Sequence, residues 1–121
     1  MIPAAISKLL AACDVTLTVT PTADERFDAV AHNSGVSVLH AVAAPGDTAR
    51  EAALSALDAL HLDAKREDAE NAAAFAQLVE DAASTSRREA ATVRAATWRV
   101  RAATLGAVCR EAAKLWPEVS L

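Results

Sequence analysis

The fold class of this chain is decided by the stretch Val15-Thr16-Leu17-Thr18-Val19-Thr20-Pro21. Apolar and polar side chains alternate strictly through it, and its β-branched residues favour extended backbone. The proline at its end has no N–H to donate to a neighbouring strand. We therefore predict a β-strand over residues 15–20, in a chain whose other segments are mostly helical in pattern.

Two further strands are predicted after this one. Alternation over residues 26–32 indicates the second strand, and the turn signal Asn33-Ser34-Gly35 joins it to a third over residues 36–43. One face of the third strand would carry Val36, Val38, His40 and Val42, so His40 is expected in the core or at the sheet edge. Together the three strands predict an antiparallel meander with one face covered by a helix.

Helices are predicted on both sides of the sheet. A short helix ends near Ala12, and a capping box formed by Thr48 and Glu51 starts another over residues 49–60. Residues 63–116 contain one glycine, no proline and many strong helix formers. They predict either one very long helix or a hairpin of two. Ser86 and Glu89 match a second capping box, which favours the hairpin.

The predicted fold is therefore α+β, with a short N-terminal helix, a three-stranded antiparallel meander packed by one helix, and a long helical arm or two-helix hairpin. We expect an α-β-β-β-α unit over residues 1–61 and the helical arm over residues 62–121. The two would pack as a single domain, because 121 residues suffice for one core.

Composition favours self-association. Apolar residues make up 53% of the chain, but 32 of them are alanines, which bury little surface each. Alanine-rich helices therefore need long, close contacts, often with a second copy. Charge is also divided: residues 1–81 carry 5 basic and 13 acidic side chains, whereas residues 82–121 carry 7 basic and 3 acidic ones. This division predicts attraction between the two parts or an acidic partner.

The final helix has apolar side chains on two flanks of an arginine row. One stripe holds Val93, Val100, Val108 and Leu115, and the other holds Trp98, Leu105, Cys109 and Trp116. Such a surface is wider than one neighbouring helix requires, so we predict contact on two sides. Alternatively, the arginine stems lie along apolar surface with their heads in water, and the tryptophans belong to the core. The predicted interaction residues are Arg87, Arg94, Trp98, Arg101, Leu105, Val108, Leu115 and Trp116.

No catalytic, cofactor-binding or metal-binding residues are predicted. His61 and Asp63 supply two possible metal ligands, fewer than the three or four that a site needs. Neither Cys13 nor Cys109 lies at a helix start, where a thiol pKa is lowered. Two scattered cysteines are typical of the cytoplasm. Residues 10–13 resemble a bacterial lipoprotein box, although the apolar stretch before them is interrupted.

Residues 36–60 contain a strand, then Gly46-Asp47-Thr48, two free positions, Glu51-Ala52 and an alanine- and leucine-rich helix. In these features they resemble the end of the partial ribonuclease-H-like domain of HicB-type antitoxins. The Asp-Leu-Pro-Gly-Cys segment of that family is replaced by residues 40–45, and its DNA-binding tail is not visible. The resemblance implies a small regulator that binds a partner protein and DNA. No site residues are carried over from it.

We predict a non-enzymatic protein–protein interaction and oligomerisation protein, such as a small inhibitor, accessory or assembly factor of a phage or mobile element. Its expected partners are another protein, a second copy, or both, without a membrane, cofactor or small-molecule ligand. The first alternative is a nucleic-acid-binding regulator that uses the arginine-rich helix over residues 87–110. The second is an enzyme whose site forms between subunits.

Overall fold

The computed structural model describes residues 2–35 and 37–117 of the chain. They form an α+β fold, as the sequence predicts. The elements in chain order are α1 (Ala4–Ala12), β1 (Val15–Pro21), β2 (Phe27–Asn33), β3 (Leu39–Val42), α2 (Ala49–Asp81) and α3 (Thr85–Leu115). None of the helices described is long and apolar enough to cross a membrane.

The sheet is the predicted antiparallel meander, in the order β1-β2-β3. Val15 pairs with Asn33 at one end of the first ladder, and Pro21 pairs with Phe27 at the other. The connection between these strands closes with a hydrogen bond of 2.8 Å from the Thr22 amide to the Arg26 carbonyl. Within it, Glu25 has a φ of 63°, a left-handed conformation that tight turns use.

The buried face of β3 is opposite to the one that the sequence predicts. Leu39 and Ala41 are buried, whereas Val38 and Val42 are 67% and 62% exposed and His40 is also exposed. Register is the reason, because Ala41 pairs with Ala31, and directly opposed residues share a face of the sheet. Val36, the remaining member of the predicted face, lies outside the described residues.

Helix α2 covers the buried face of the sheet with its first half. Its buried residues there are Ala52, Ala53, Ala56, Leu57, Leu60 and Ala64. The predicted cap is confirmed, since the Thr48 hydroxyl accepts a hydrogen bond of 3.0 Å from the Glu51 amide. The helix then continues without a break to Asp81, so it passes through the expected boundary between residues 61 and 62.

Helices α2 and α3 form the predicted hairpin, but α3 begins earlier than the second capping box implies. Its cap is Ser84, whose hydroxyl accepts a hydrogen bond of 3.3 Å from the Arg87 amide. The interpretation of Ser86 and Glu89 as the capping pair is therefore wrong. Both serines fit a cap by residue type, and Ser84 is the one with extended backbone, as a cap requires.

The second half of α3 packs against α2 and α1 and completes the main core. Leu105, Val108, Ala112 and Trp116 are buried there with residues of α1, α2 and the sheet. Gly106 allows a close approach, because a methyl group at this position would lie 2.8 Å from His61 Nε2. The Cys109 thiol also donates a hydrogen bond of 3.2 Å to the Leu57 carbonyl.

Candidate interaction surface

The main core stops well before the end of the hairpin. Its last member on α2 is Ala64, and its first member on α3 is Ala102. Within the predicted helical arm of residues 62–121, the part that lies beyond that core is residues 65–101. We use the name arm for this part alone. Apart from Arg101 at its base, the buried residues that the structure describes in the arm are Phe75 and Ala91. The arm is therefore a single layer of two helices with little interior of its own.

A small aromatic cluster holds the two helices of the arm together. The rings of Phe75 and Trp98 lie 5.2 Å apart between centroids, inclined by 38°. The Arg94 guanidinium carbon lies 5.8 Å from the centre of the Phe75 ring, within the range of a cation–π contact. Trp98 is half-buried, so this cluster is open to solvent at its margin.

Arg101 ties the base of the arm to the segment between β2 and β3. Its Nη1 donates a hydrogen bond of 2.7 Å to the Ser37 carbonyl, and its Nη2 donates one of 3.1 Å to the Ser37 hydroxyl. The same Nη2 forms an ion pair with Glu67, to which Ser37 also donates a hydrogen bond of 2.7 Å. Arg101 is nearly buried, so this network neutralises a charge that would be expensive alone.

Large apolar side chains remain exposed on the arm. Leu78 is 55% exposed, Val93 is 67% exposed and Val100 is 63% exposed. Leu78 also lines a groove of about 260 Å³ between the helices, together with Phe75, Arg87, Ala90, Ala91 and Arg94. At 100° per residue, Val93 and Val100 lie on the outer edge of α3, about a third of a turn from the residues that line this groove. We call the groove side together with this outer edge the docking face.

The groove on the opposite side of the arm has Val79 as its large aliphatic side chain, where the docking face has Leu78. This groove, of about 350 Å³, is lined by Ala72, Phe75, Ala76, Val79, Thr92, Ala95, Ala96 and Arg99. Half of these residues are alanines, and Phe75 is shared by both grooves. Leu78 is 55% exposed whereas Val79 is half-buried, so covering the docking face would remove more aliphatic surface from water.

The charges of the arm are separated between its two helices. The part of α2 over residues 65–81 carries five acidic and two basic side chains, whereas α3 over residues 85–101 carries five basic and one acidic. Glu67 and Arg101 form the ion pair that links these helices within the described chain. In that part of the chain, Arg87, Arg88, Arg94 and Arg99 form no ion pair.

The structure divides the eight predicted interaction residues into three groups. Arg87 and Arg94 are exposed and line the groove of the docking face. Leu115 is exposed at the far end of α3, away from the arm, and Trp98 is half-buried against Phe75. The other four are buried within the monomer and lie outside the docking face: Arg101, Leu105, Val108 and Trp116.

Three residues of this region were not among the predicted interaction residues. Leu78 has the spacing of a buried residue next to Phe75, yet the hairpin geometry leaves it exposed. Glu67 has the pattern of an outer polar face, yet it pairs with Arg101. The signal that points to Glu67 is indirect: an arginine within an apolar surface needs an acidic partner, but the sequence does not specify which one. The sequence likewise does not specify Ser37 as a hydrogen-bonding partner of Arg101 and Glu67.

The surroundings of Cys109 and His61 favour the protonated thiol and the neutral imidazole. Burial, with the nearby Asp58 carboxylate, raises the pKa of the Cys109 thiol to about 12, so it stays protonated. Partial burial, with the nearby Lys65 and Arg110 charges, lowers the pKa of His61 and favours its neutral form. The described residues contain no group of three or more histidine, cysteine or acidic side chains that could hold a metal ion.

Comparison with known proteins gives no matching family model, no similar curated protein and no similar solved structure. The resemblance of residues 36–60 to HicB-type antitoxins is therefore not accompanied by a family match. The features of this surface are two exposed helices, exposed apolar side chains, and charges separated between the helices.

Proposed function

We propose that this protein is a non-enzymatic interaction protein that self-associates through the docking face of its arm. The observation that carries the proposal is the exposure of Leu78 beside the groove and of Val93 and Val100 on the adjoining edge of a two-helix layer. A second arm placed on this face would complete a four-helix bundle, the arrangement in which amphipathic helical hairpins commonly bury their apolar sides.

The size of the face predicts a weak dimer. Residues 85–100 of α3 span about 24 Å, and two helices side by side are about 20 Å wide, so each copy offers on the order of 500 Å². The total of about 1,000 Å² is near the lower limit for a specific interface. We therefore expect monomer and dimer to exchange in the micromolar range, with the dimer dominant at high concentration.

Sedimentation velocity over a concentration series tests this proposal. The arm variant Val93→Ser with Val100→Ser should raise the dimer dissociation constant at least about tenfold, because each change replaces apolar contact by a hydroxyl. A matched control is Val38→Ser with Val42→Ser, since these two valines are equally exposed on the sheet. The control should associate like the unmodified protein.

Two results would overturn the proposal. One is a chain that remains monomeric at every concentration. The other is equal weakening by the arm variant and the sheet variant, because association would then not depend on the arm. Both variants change only exposed side chains, so circular dichroism should show the same helix content in all three proteins.

A second candidate function is nucleic-acid binding, favoured by the exposed arginines of α3 that have no ion pair among the described residues. Four phosphate contacts would give a salt slope of about −3.6 in log units. The acidic side chains of the adjacent α2 oppose this function by repelling phosphate. Retardation of duplex DNA or single-stranded RNA in a low-salt gel, lost on adding salt, would favour it over self-association.

The proposal also covers the cellular compartment and the biological role of the protein. Cys13 and Cys109 are free, which supports a reducing compartment such as the cytoplasm. A role as a small inhibitor, accessory or assembly factor of a phage or mobile element is compatible with association through an arm. The charges of the two helices are separated, acidic on α2 and basic on α3, and this favours a partner with the complementary arrangement of charges.

A further inference from the structure

We infer that the occupant of the docking face is a second copy in which α2 of each arm lies on α3 of the other. This inference rests on the proposed function and adds the pairing of helices to it. Its basis is charge: over residues 65–101, α2 carries a net charge of −3 and α3 a net charge of +4. A surface with both signs, segregated by helix, is complementary to its own copy.

The charges that would meet the partner form no ion pair with the residues that the structure describes. Arg87 and Arg94 lie on the docking face and form no ion pair with any described residue. On α2, Glu70 and Asp81 have no basic partner among the described residues either, although Asp81 accepts a hydrogen bond of 2.9 Å from Gln77. The hairpin therefore leaves opposite charges on one side of the arm available to a second chain.

Helical spacing places these groups beside the exposed apolar side chains. Residues 70, 74, 78 and 81 recur at i, i+4, i+8 and i+11 and form one face of α2 around Leu78. On α3, residues 87, 90, 94 and 97 follow the same kind of spacing and form the groove side, with Val93 and Val100 about a quarter-turn away on the outer edge. The groove side thus presents acidic groups on α2 and basic groups on α3, while Glu89 lies on the outer edge of α3, one turn before Val93.

The competing arrangement places like helix on like helix. It would bring the arginines of one α3 against those of the other and oppose the acidic faces in the same way. Juxtaposed like charges at an interface cost free energy and select against such a pairing. In a two-fold dimer with α2 on α3, the favourable contact occurs twice, because the interface is isologous.

A charge-swap experiment tests this pairing. Variant one carries Glu70→Arg and Asp81→Arg, so both of its helices present basic groups. Variant two carries Arg87→Glu and Arg94→Glu, so both of its helices present acidic groups. Each variant alone should dimerise at least about tenfold more weakly than the unmodified protein, and an equimolar mixture should form a heterodimer, since each α2 then faces an opposite charge.

The substitutions are compatible with the fold. Arg87→Glu places an acid in the first turn of α3, and Asp81→Arg places a base in the last turn of α2, which both suit the helix dipole. Circular dichroism of each variant checks this point. A second measurement needs no variant: the dissociation constant of the unmodified protein should rise with added sodium chloride, because salt screens opposite charges.

The outcomes separate this inference from the proposed function. A mixture that stays as weakly associated as its components, or a variant that dimerises alone as well as the unmodified protein, would overturn the pairing while leaving self-association in place. Dimerisation that salt leaves unchanged or strengthens would also overturn it. An unmodified chain that remains monomeric would instead remove the proposed function itself.

Discussion

At the scale of single residues, Arg101 is the charged group on which the base of the arm depends. It is nearly buried, and its guanidinium reaches Ser37 and Glu67, which come from two other segments of the chain. Removing the acidic partner would leave a buried cation, and that cost generally exceeds the net stabilisation that the intact pair contributes.

We expect Glu67→Ala to lower the free energy of unfolding by about 2 kcal/mol or more. This loss is smaller than that of breaking a fully buried ion pair, because the Glu67 side chain is partly exposed. Urea denaturation measures this change. Glu80→Ala, an exposed acid on the same helix without an ion pair among the described residues, should change stability by less than about 0.5 kcal/mol.

The double variant Glu67→Leu with Arg101→Met separates lost pairing from lost packing. Because it removes both charges at once, it should be less destabilised than the sum of the two single changes. Equal effects of Glu67→Ala and Glu80→Ala would show that the Arg101 network does not stabilise the fold.

At the scale of elements, the connection between α2 and α3 decides where the arm turns. Helix α2 ends at Asp81 and α3 begins at Thr85, so three residues reverse the chain. Ser84 stabilises the start of α3 by accepting a hydrogen bond from an amide that would otherwise lack a partner in the helix.

Ser84→Ala should destabilise the protein by about 1 kcal/mol, the usual cost of losing a serine cap. Ser86→Ala is its matched control, since Ser86 lies in the first turn of the helix, where alanine is the better helix former. The control should be neutral or slightly stabilising in thermal denaturation. If Ser86→Ala were the more damaging change, α3 would begin two residues later than described.

At the scale of the whole molecule, the His61 imidazole lies where α2 meets α3 in the main core. A methyl group at Gly106 would lie 2.8 Å from its Nε2, so the ring packs closely on α3. Partial burial, with Lys65 and Arg110 as neighbouring cations and Asp58 opposing them, lowers the pKa of His61 in the folded state. Protonation therefore favours the unfolded chain.

The sign of the pH dependence follows from this shift. Above the unfolded pKa of about 6.5, His61 is neutral in both states and contributes no pH dependence. As the pH falls below that value, the unfolded chain binds a proton first, and stability is lost until the folded pKa is passed. His61→Gln should lose less stability than the unmodified protein between about pH 7.5 and pH 5 in urea denaturation. Parallel losses in the two proteins would contradict this account.

The sequence by itself was enough to predict several features of this protein. Alternation predicts β1, the turn signal at residues 33–35 predicts the meander, and the Thr48 cap predicts the start of α2. The helix formers after residue 63 and the serines near residue 84 predict a hairpin. These features depend on neighbours along the chain, and local physical chemistry therefore determines them.

Only the tertiary structure decided which sides of these elements are buried. The register of β3 places Val38 and Val42 on the exposed face of the sheet. The geometry of the hairpin leaves Leu78 exposed, whereas Leu105, Val108 and Trp116 are buried in the core. Arg101 found its partner in Glu67, 34 positions away in the sequence. The physical reason is that burial depends on the second surface an element meets, and a helix with two apolar flanks allows more than one such surface.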